Sequence, residues 1–579
     1  MLYAAILLPL ISIFSSLIHK KGYLLSFLMM LVANLICVHI WFNLGLESDL
    51  YLWHWFNFKE HSLQLILNLN ILSSSTLMTV STISMLVFAY SIGYFKDSSS
   101  KRRYFAKLSF FVFSMYLLIL AKDWVTLFIS WELVGCASYL LIGFYMQKSK
   151  SSYASYQSFI INRISDLSLF SGLVLLYLQT NSSDFSTYNT VISNQLLISG
   201  LIFFGVMAKS AQIPMHVWLP NSMAGPSPVS ALIHSATMVC AGVYLLVKIS
   251  FVLHEDIYFY ITLVGFIGAI SMGLVSIFVD DLKRAIAFST LSQISIMFLA
   301  IGLKLFAFSM AHLHAHAYFK ALWFLIAGSI IKATGKTKIS EINNMHKDNK
   351  ILSYSALIAT LNLCSIFPTG GFFSKEMLAL EIKNIPIWGD YIFYIFLVSA
   401  FITCVYSLRL YFSIFLSTGN TKKINKVTYI EKNVIIIFTL LTLIITPFIL
   451  DLVNKMNNND TFYDFISVGK NFFIPIVIVV LAAFLIKVFS LRQKMNFSFL
   501  VQEIYFQKAY NLFSHILLKK SNLLANLDNK LDLIIKKSSH YFYSNSIKLS
   551  NYLQPYVVTN SLMYIAASIF IIILIGALL

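Results

Sequence analysis

Residues Gly205-Val-Met-Ala-Lys-Ser-Ala-Gln-Ile-Pro214 place a lysine inside an apolar helix, five residues before a proline. Pro220, Pro226 and Pro228 follow before the next apolar segment. A proline removes a backbone hydrogen bond and interrupts a helix. Inside a membrane, such an interruption leaves oriented backbone dipoles facing a cavity. The stretch therefore predicts a broken membrane helix that carries Lys209, a group that can exchange its proton when buried.

The composition of the whole chain supports a membrane location. Of 579 residues, 58% are hydrophobic and only 11% are charged, against roughly 25% charged residues in a typical soluble domain. So few charges cannot cover a soluble core, which excludes a cytosolic globular enzyme and a disordered chain. The net charge of +18 does not indicate nucleic-acid binding. Its lysines and arginines lie in short loops between apolar segments, which is typical of membrane topology.

Apolar segments of spanning length recur along the chain and predict about sixteen transmembrane helices. They lie near residues 2–18, 23–44, 75–95, 105–121, 124–146, 156–178, 196–212, 229–252, 258–279, 285–303, 306–331, 351–382, 389–416, 433–452, 471–489 and 557–579. The first lacks a basic n-region and is interpreted as a helix rather than a cleaved signal peptide. Lysine and arginine accumulate in alternate loops, which we expect to be cytoplasmic, with both termini external.

Residues 490–556 interrupt this pattern. Leu517, Leu524 and Leu531 recur at helical spacing among lysines, which predicts an amphipathic helix on the cytoplasmic side. Two interpretations remain open: the helix lies on anionic lipid, or it docks along neighbouring membrane subunits. The final span would anchor its far end.

A second broken helix is predicted in residues 366–381. Here Pro368, Gly370 and Gly371 precede Lys375. The two breaks lie about 160 residues apart, each near the end of a five-helix block, which suggests an internal repeat of the kind found in transporters.

His312, His316 and Lys320 lie at positions i, i+4 and i+8 of one helix and share a face. Histidine changes charge near neutral pH, so such a ladder can relay protons. Two histidines at this spacing also suit a metal, but no third ligand shares the face and we expect no metal site. The five cysteines include no CxxC pair, so disulfides, zinc and iron–sulfur clusters are not expected. No nucleotide-binding motif occurs in a strand–helix context.

Further ionisable residues lie within apolar segments, where a charge is a functional candidate by default. Glu132 is flanked by apolar turns, and a static ion pair is its alternative role. Arg163 and Asp166 are spaced at i, i+3 and could pair. His234 follows the proline-rich stretch and, taken alone, is equally consistent with a satisfied core histidine. Arg409 completes the buried set.

Several longer motifs resemble one known family. They are Trp131-Glu-Leu-Val-Gly-Cys-Ala-Ser-Tyr-Leu-Leu-Ile-Gly143, Lys209-Ser-Ala-Gln-Ile-Pro214, Trp218-Leu-Pro220, Met223-Ala-Gly-Pro-Ser-Pro-Val-Ser-Ala-Leu-Ile-His234 and Gly371-Phe-Phe-Ser-Lys-Glu376. In this order, and over nearly the whole chain, they resemble the antiporter-like subunits of respiratory complex I, the NADH:quinone oxidoreductase.

The resemblance implies an all-α polytopic membrane protein. It would contain two inverted five-helix repeats, each with a broken helix, and a cytoplasmic-side lateral amphipathic helix. The implied units are the N-terminal helices (1–100), the first repeat (101–256), the second repeat (257–420), a C-terminal transmembrane pair (421–490), the lateral helix (491–555) and a terminal anchor (556–579).

The resemblance also implies roles for single residues. Glu132 and Lys209 would form the first half-channel pair, with His234 connecting onward. His312, His316 and Lys320 would form the central relay. Lys375, with Glu376 beside it, would be the exit lysine, and Arg163 and Asp166 match buried positions of the family. The chain departs from the family pattern at Asn70 and Asn221, where aspartate is common, and we expect altered loop contacts there.

The implied function is proton translocation along this buried axis, coupled to quinone reduction elsewhere in the complex. This chain would bind no cofactor, whereas NADH, FMN, iron–sulfur clusters and quinone would be bound by partner subunits. Its partners would be other membrane-arm subunits, especially neighbouring antiporter-like ones, and membrane lipids, but no nucleic acid. The residue sequences of these motifs favour a location in the bacterial inner membrane over one in the mitochondrial inner membrane.

Two groups of alternatives remain. The same motifs occur in Mrp-type cation/proton antiporters, membrane-bound hydrogenases and inorganic-carbon uptake complexes. A purely structural subunit, whose long helix braces a membrane arm, is a different class of function. Such a subunit would tolerate substitution of the axial lysines.

Overall fold

The computed structural model describes residues 1–19, 21–43, 48–58, 61–184, 194–417, 426–457, 463–469 and 473–488. The predicted lateral helix (491–555) and terminal anchor (556–579) lie outside the described residues.

Helices dominate the described chain. The first six are α1 (Leu2–Ile18), α2 (Gly22–Phe42), α3 (Ile71–Tyr94), α4 (Lys101–Leu120), α5 (Trp124–Ile142) and α6 (Ser149–Thr180). Shorter helices follow: α7 (Gln195–Lys209), α8 (Trp218–Ser222), α9 (Ser227–Ile233) and α10 (Met238–Lys248). The remainder are α11 (Glu255–Phe278), α12 (Leu282–Gly302), α13 (Phe306–Thr334), α14 (Met345–Asp348), α15 (Lys350–Leu363), α16 (Gly370–Lys383), α17 (Gly389–Phe415), α18 (Tyr429–Met456), α19 (Phe465–Gly469) and α20 (Phe473–Val488).

The lengths and compositions of these helices are those of an integral membrane protein. Within the described residues, 11 helical segments are long and apolar enough to cross a membrane. Four shorter apolar helices, α1, α7, α15 and α20, coincide with further predicted spans. The structure therefore confirms a polytopic helical protein, whereas the count of sixteen stays a prediction.

Serine and threonine are numerous in these apolar helices, and many of their hydroxyls bond back to the helix backbone. Ser91 Oγ donates to the carbonyl of Val87 at 2.7 Å, and Ser109 Oγ to that of Phe105 at 2.8 Å. Because these bonds satisfy the hydroxyl within its own helix, such residues can be buried without a partner elsewhere.

A β-hairpin that the helix prediction does not include lies between α2 and α3. β1 (Ser48–Phe58) pairs antiparallel with β2 (His61–Leu69). Leucines occupy alternate positions of β2, and a period of two is typical of a strand. The sequence therefore contains a pattern that indicates this strand.

Two helices are interrupted where the prolines predict it. α7 ends at Lys209, and Pro214 lies in the segment before α8. α15 ends at Leu363, and Pro368 lies in the segment before α16. The peptide bonds before both prolines are cis.

Gly370 and Gly371, predicted as part of the second break, instead begin α16. Thr369 caps this helix by accepting a hydrogen bond from the backbone N–H of Phe372, as threonine commonly does at an N-cap. A Cβ on Gly371 would lie 2.0 Å from the carbonyl oxygen of Asn362. The glycine therefore permits the close approach of the two half-helices.

The helix α13 forms the centre of the molecule. Every residue from Ala307 to Ile330 is buried. The helix packs against α3, α9, α12, α15, α16 and α18. Because α13 is enclosed on all sides, its polar side chains must find their partners on neighbouring helices.

Candidate functional site

Lys209, the last residue of α7, is fully buried against α5 and α6. Its Nζ donates to the Trp131 carbonyl at 2.5 Å and lies 3.4 Å from Asp166 Oδ1. Trp131 Nε1 donates to the same carboxylate oxygen at 2.7 Å. These contacts help to offset the desolvation of a buried lysine–carboxylate pair.

Glu132 pairs with Arg163 and not with Lys209, so the pairing implied by the family resemblance is not formed. The Glu132 carboxylate contacts the Arg163 guanidinium, which also lies over the Phe159 ring, 4.8 Å from its centroid. The side chains of Glu132 and Arg163 are 22% and 35% exposed. This ion pair is therefore open on one side, whereas the Lys209–Asp166 pair is closed.

The possible i, i+3 pairing of Arg163 with Asp166 is also replaced by contacts between helices. The two residues of α6 face different partners, since Arg163 contacts Glu132 and Asp166 contacts Lys209. A Cβ on Gly135 would lie 3.6 Å from both Arg163 Nη2 and Lys209 Nζ. The two ion pairs are therefore neighbours, and a charge change in one acts on the other.

His234 lies at a third helix interruption, between α9 and α10, which the proline pattern does not predict. Its Nε2 lies 3.1 Å from Ser222 Oγ. The carbonyl of the next residue, Ser235, lies 3.1 Å from His316 Nδ1 on α13. This interruption makes a backbone carbonyl available to a side chain and connects His234 to the central helix.

The predicted ladder on α13 is fully buried, and its members contact different helices. His312 Nδ1 lies 3.0 Å from Ser374 Oγ on α16. Its Nε2 lies 3.2 Å from Gln293 Oε1 on α12. Lys320 Nζ donates to Ser289 Oγ, also on α12. Together with His316, which contacts Ser235, these residues connect the interruption between α9 and α10 to the start of α16.

Lys375 lies in α16, one residue after Ser374. Its Nζ donates to the Leu363 carbonyl at 2.8 Å. Leu363 ends α15, where carbonyls lack helical partners and the helix dipole favours a cation. Lys375 and Glu376 line a cavity of about 40 Å³ between α16, α17 and α20. One water needs roughly 10–15 Å³, so the cavity can hold water beside this lysine.

Four further cations, of which Lys248 is half-buried and the others are buried, lie outside the predicted axis. Each donates to a backbone carbonyl: Lys107 to Leu140 (3.1 Å), Lys248 to Ile119 (2.9 Å), Lys283 to Gly225 (2.7 Å) and Arg409 to Val279 (3.1 Å). Most lie at ends of apolar segments, where a basic side chain is expected to reach the interface. The sequence therefore does not indicate how deeply these side chains are buried.

The departures at Asn70 and Asn221 form contacts at a helix start and between two helices, so the prediction of altered loop contacts stays untested. Asn70 caps α3 in a capping box with Ser73. Asn221 Nδ2 donates to Gln157 Oε1 at 2.8 Å.

Two interrupted helices that each carry a buried lysine, together with a central helix that carries a third, define an integral membrane protein with an antiporter-like core. A family model described as the transmembrane part of NADH:quinone oxidoreductase and Mrp antiporters matches residues 121–403. A second, described as the N-terminus of chain 5 of NADH-ubiquinone oxidoreductase (complex I), matches residues 55–105. The chain belongs to this family of antiporter-like membrane subunits.

Two curated proteins are similar to this chain over more than half of its length. NADH-quinone oxidoreductase subunit L of Campylobacter jejuni is 40% identical over 356 residues, which cover 60% of this chain and 59% of that protein. The chloroplastic NAD(P)H-quinone oxidoreductase subunit 5 of Anthoceros angustus is 35% identical, over 66% of this chain and 55% of that protein. The matched part of the chain thus spans less than two thirds of these relatives.

A solved structure shows the same fold. A chain of the Mrp complex from Dietzia sp. DQ12-45-1b superposes with a TM-score of 0.72 at 22% sequence identity. The match covers 89% of this chain and 59% of the other.

Proposed function

We propose that this chain is a proton-translocating membrane subunit of an NADH:quinone oxidoreductase. The observation that carries the proposal is the row of buried ionisable groups from Asp166 and Lys209, past His234 and the α13 ladder, to Lys375. Buried charges in a membrane protein have a high energetic cost and mark ion pathways. The names of the curated relatives support the assignment to this enzyme complex.

The geometry suggests how a proton could move along this row. The Glu132–Arg163 pair is partly exposed on the α5–α6 face, where a neighbouring subunit could shift its charge. Such a shift changes the field at the adjacent Lys209–Asp166 pair. His234 then passes the proton to His316, His312 and Lys320, which carry it along α13. The contact of His312 with Ser374 passes it to Lys375 and Glu376.

The remaining features follow from the same proposal. The chain would contain about sixteen transmembrane helices in two inverted repeats, with a lateral helix on the cytoplasmic side. It would have no redox site, because partner subunits would bind NADH, FMN, iron–sulfur clusters and quinone. Neighbouring antiporter-like subunits and lipids would surround it, and a bacterial inner membrane would be its location.

An Mrp-type cation/proton antiporter subunit is the second candidate, because the longer family model describes both kinds of protein. Both candidates use the same axis and differ in the driving reaction. A purely structural subunit is a weaker third reading, since a brace does not need a buried row of charges.

Purification of the assembly from its native membrane tests the proposal. We expect co-purifying redox subunits, NADH oxidation, and proton uptake driven by NADH in inverted vesicles. The variant Lys320→Ala should lose proton uptake, while Lys304→Ala, which removes an exposed lysine paired with Glu255, should retain it. An assembly that exchanges sodium for protons without oxidising NADH would establish the Mrp alternative. Full pumping by Lys320→Ala would exclude the axial role.

A further inference from the structure

Two cysteines lie beside Lys375 in the second helix interruption. Cys364 directly follows α15, and Cys404 lies in the middle of α17. The Cys404 thiol donates to the Cys364 carbonyl oxygen at 3.8 Å, and both cysteines line the same cavity. Both are free cysteines that are 2% exposed. The fold therefore brings together two thiols that are 40 residues apart in the sequence.

The two thiols lie beside a cavity and near a positively charged side chain. Cys364, Cys404, Lys375 and Glu376 line the same cavity of about 40 Å³. The rest of the lining is mostly apolar, from α17 and α20. Lys375 lines this cavity together with both thiols, so an ammonium group lies beside the cysteines, whose thiolate form is the one that binds metals.

We propose that Cys364 and Cys404 form a binding site for a soft monovalent cation, Cu⁺ or Ag⁺, beside the Lys375 ammonium group. Thiolates select soft ions, and such d¹⁰ cations are satisfied by two sulfur ligands in a line. Among the described residues, no group of three or more histidine, cysteine or acidic side chains is placed to hold a metal. A site of four ligands, as zinc prefers, is therefore not supported there.

Binding would exchange protons for the metal without a redox change. Each thiol loses its proton, two metal–sulfur bonds form, and two protons leave through the cavity. The resulting bis-thiolate unit carries one negative charge, which the Lys375 ammonium group balances. An occupied site would hold Lys375 in its charged form and block proton release. This inhibition rests on the proposed function, whereas metal binding does not.

Protection from alkylation tests the site in the assembled complex. Membranes are titrated with Ag⁺ in chloride-free buffer, treated with the membrane-permeant alkylating reagent N-ethylmaleimide, and analysed peptide by peptide by mass spectrometry. We expect Cys364 and Cys404 to react without silver and to be protected together at low Ag⁺. Cys136, a half-buried cysteine on α5, is the internal control and should need far more silver.

The variant Cys404→Ser distinguishes a metal site that both thiols form together from two thiols that bind metal independently. Loss of a supporting contact alone costs roughly 10–100-fold in metal affinity, so loss of a ligand should raise the silver needed to protect Cys364 by about 100-fold. Three outcomes would overturn the proposal. In Cys404→Ser, Cys364 could be protected at the same silver concentration as in the wild type. In the wild type, Cys364 and Cys404 could need as much silver as Cys136, or neither thiol could be alkylated without silver. The wild-type comparison stands even if the variant fails to assemble.

Silver inhibition of NADH-driven proton uptake tests the consequence for transport. Wild-type vesicles should be inhibited at silver concentrations that leave Cys364→Ser/Cys404→Ser vesicles active. If silver inhibits proton uptake equally in both kinds of vesicle, while it still protects Cys364 and Cys404 of the wild type from alkylation, the effect on transport is refuted and the metal site remains supported.

Discussion

A lysine in the interior of a membrane protein is stable only where oxygen atoms receive its ammonium group. Lys209 uses the Trp131 carbonyl and the Asp166 carboxylate, whereas Lys375 uses the carbonyl end of a broken helix. Lys209 thus has an anionic partner among the described residues, and Lys375 has a backbone dipole.

Replacing Lys209 by glutamine should separate its two roles at the residue scale. Lys209→Gln keeps a hydrogen-bond donor, on a side chain that is one atom shorter, but cannot carry a proton. We expect proton uptake to fall by about 100-fold, the lower end of what a positioned proton-transfer group contributes. The variant should also be less stable, because Asp166 is left as a buried, unpaired carboxylate.

The double variant Lys209→Gln/Asp166→Asn provides the control for that experiment. It restores a neutral pair, so assembly should recover while proton uptake remains lost. Thermal unfolding of the purified complex and NADH-driven proton uptake measure the two effects. Recovery of pumping in the double variant would contradict the transport role of Lys209.

At the scale of the element, Asp123 holds the β-hairpin against the start of α5. Its carboxylate accepts hydrogen bonds from the Thr126 N–H and from the Ile66 N–H of β2, both at 2.7 Å. Lys122 adds ion pairs with Asp49 of β1 (2.6 Å) and with Asp184 (3.2 Å). One loop between α4 and α5 therefore joins three segments at the same end of the molecule.

Asp123→Ala should release the hairpin. Loss of an N-cap costs about 0.5–2 kcal/mol, and the Ile66 N–H loses its acceptor as well. We expect faster proteolysis within the hairpin and a lower melting temperature. Asp256→Ala, which changes an exposed acidic residue in the first turn of α11, should leave both unchanged. Equal proteolysis of the two variants would show that Asp123 does not hold the hairpin.

The same residue predicts a pH dependence. Burial raises the pKa of Asp123 to about 6, although hydrogen bonds from Thr126 and Ile66 act in the opposite direction. Because the pKa is raised on folding, its stabilising contribution is complete below about pH 4 and is lost as the pH rises through about 6. The loss is about 1.4 kcal/mol per unit of pKa difference.

Denaturation of the wild type and of Asp123→Asn between pH 4 and 7 measures this contribution. The wild type should lose stability relative to the variant as the pH rises. A flat or rising difference would show that Asp123 is not responsible.

At the scale of the molecule, one lysine of the central helix α13 joins it to two neighbouring helices. Lys332, near the end of α13, lies 2.6 Å from Glu431 of α18, whose side chain is fully buried. It also donates to the carbonyls of Gly93 (3.1 Å) and Tyr94 (3.0 Å) of α3. The alignment of α3, α13 and α18 thus depends on one ammonium group.

Lys332→Met should destabilise the whole bundle, because it leaves a buried carboxylate and two carbonyls without this donor. Breaking a buried pair costs about 3–5 kcal/mol. The Lys332 side chain is 36% exposed, so water replaces part of the contact and we expect about 1–3 kcal/mol. Thermal unfolding of the purified complex measures the change.

Lys338→Met is the matched control, since Lys338 forms an exposed pair with Glu341. Its effect should not exceed about 1 kcal/mol. Equal melting temperatures of the two variants would contradict the role of Lys332.

The sequence by itself determined that the chain is a polytopic helical membrane protein, and it determined both proline-marked breaks and the helix that carries the α13 ladder. Each depends on local properties: apolar length, the missing N–H of proline, and the fixed turn of a helix. Only the tertiary structure decided that Glu132 meets Arg163, that Lys209 meets Asp166, and that Cys364 meets Cys404. These partners lie on different helices, and spacing along the chain does not determine which faces of two helices pack together.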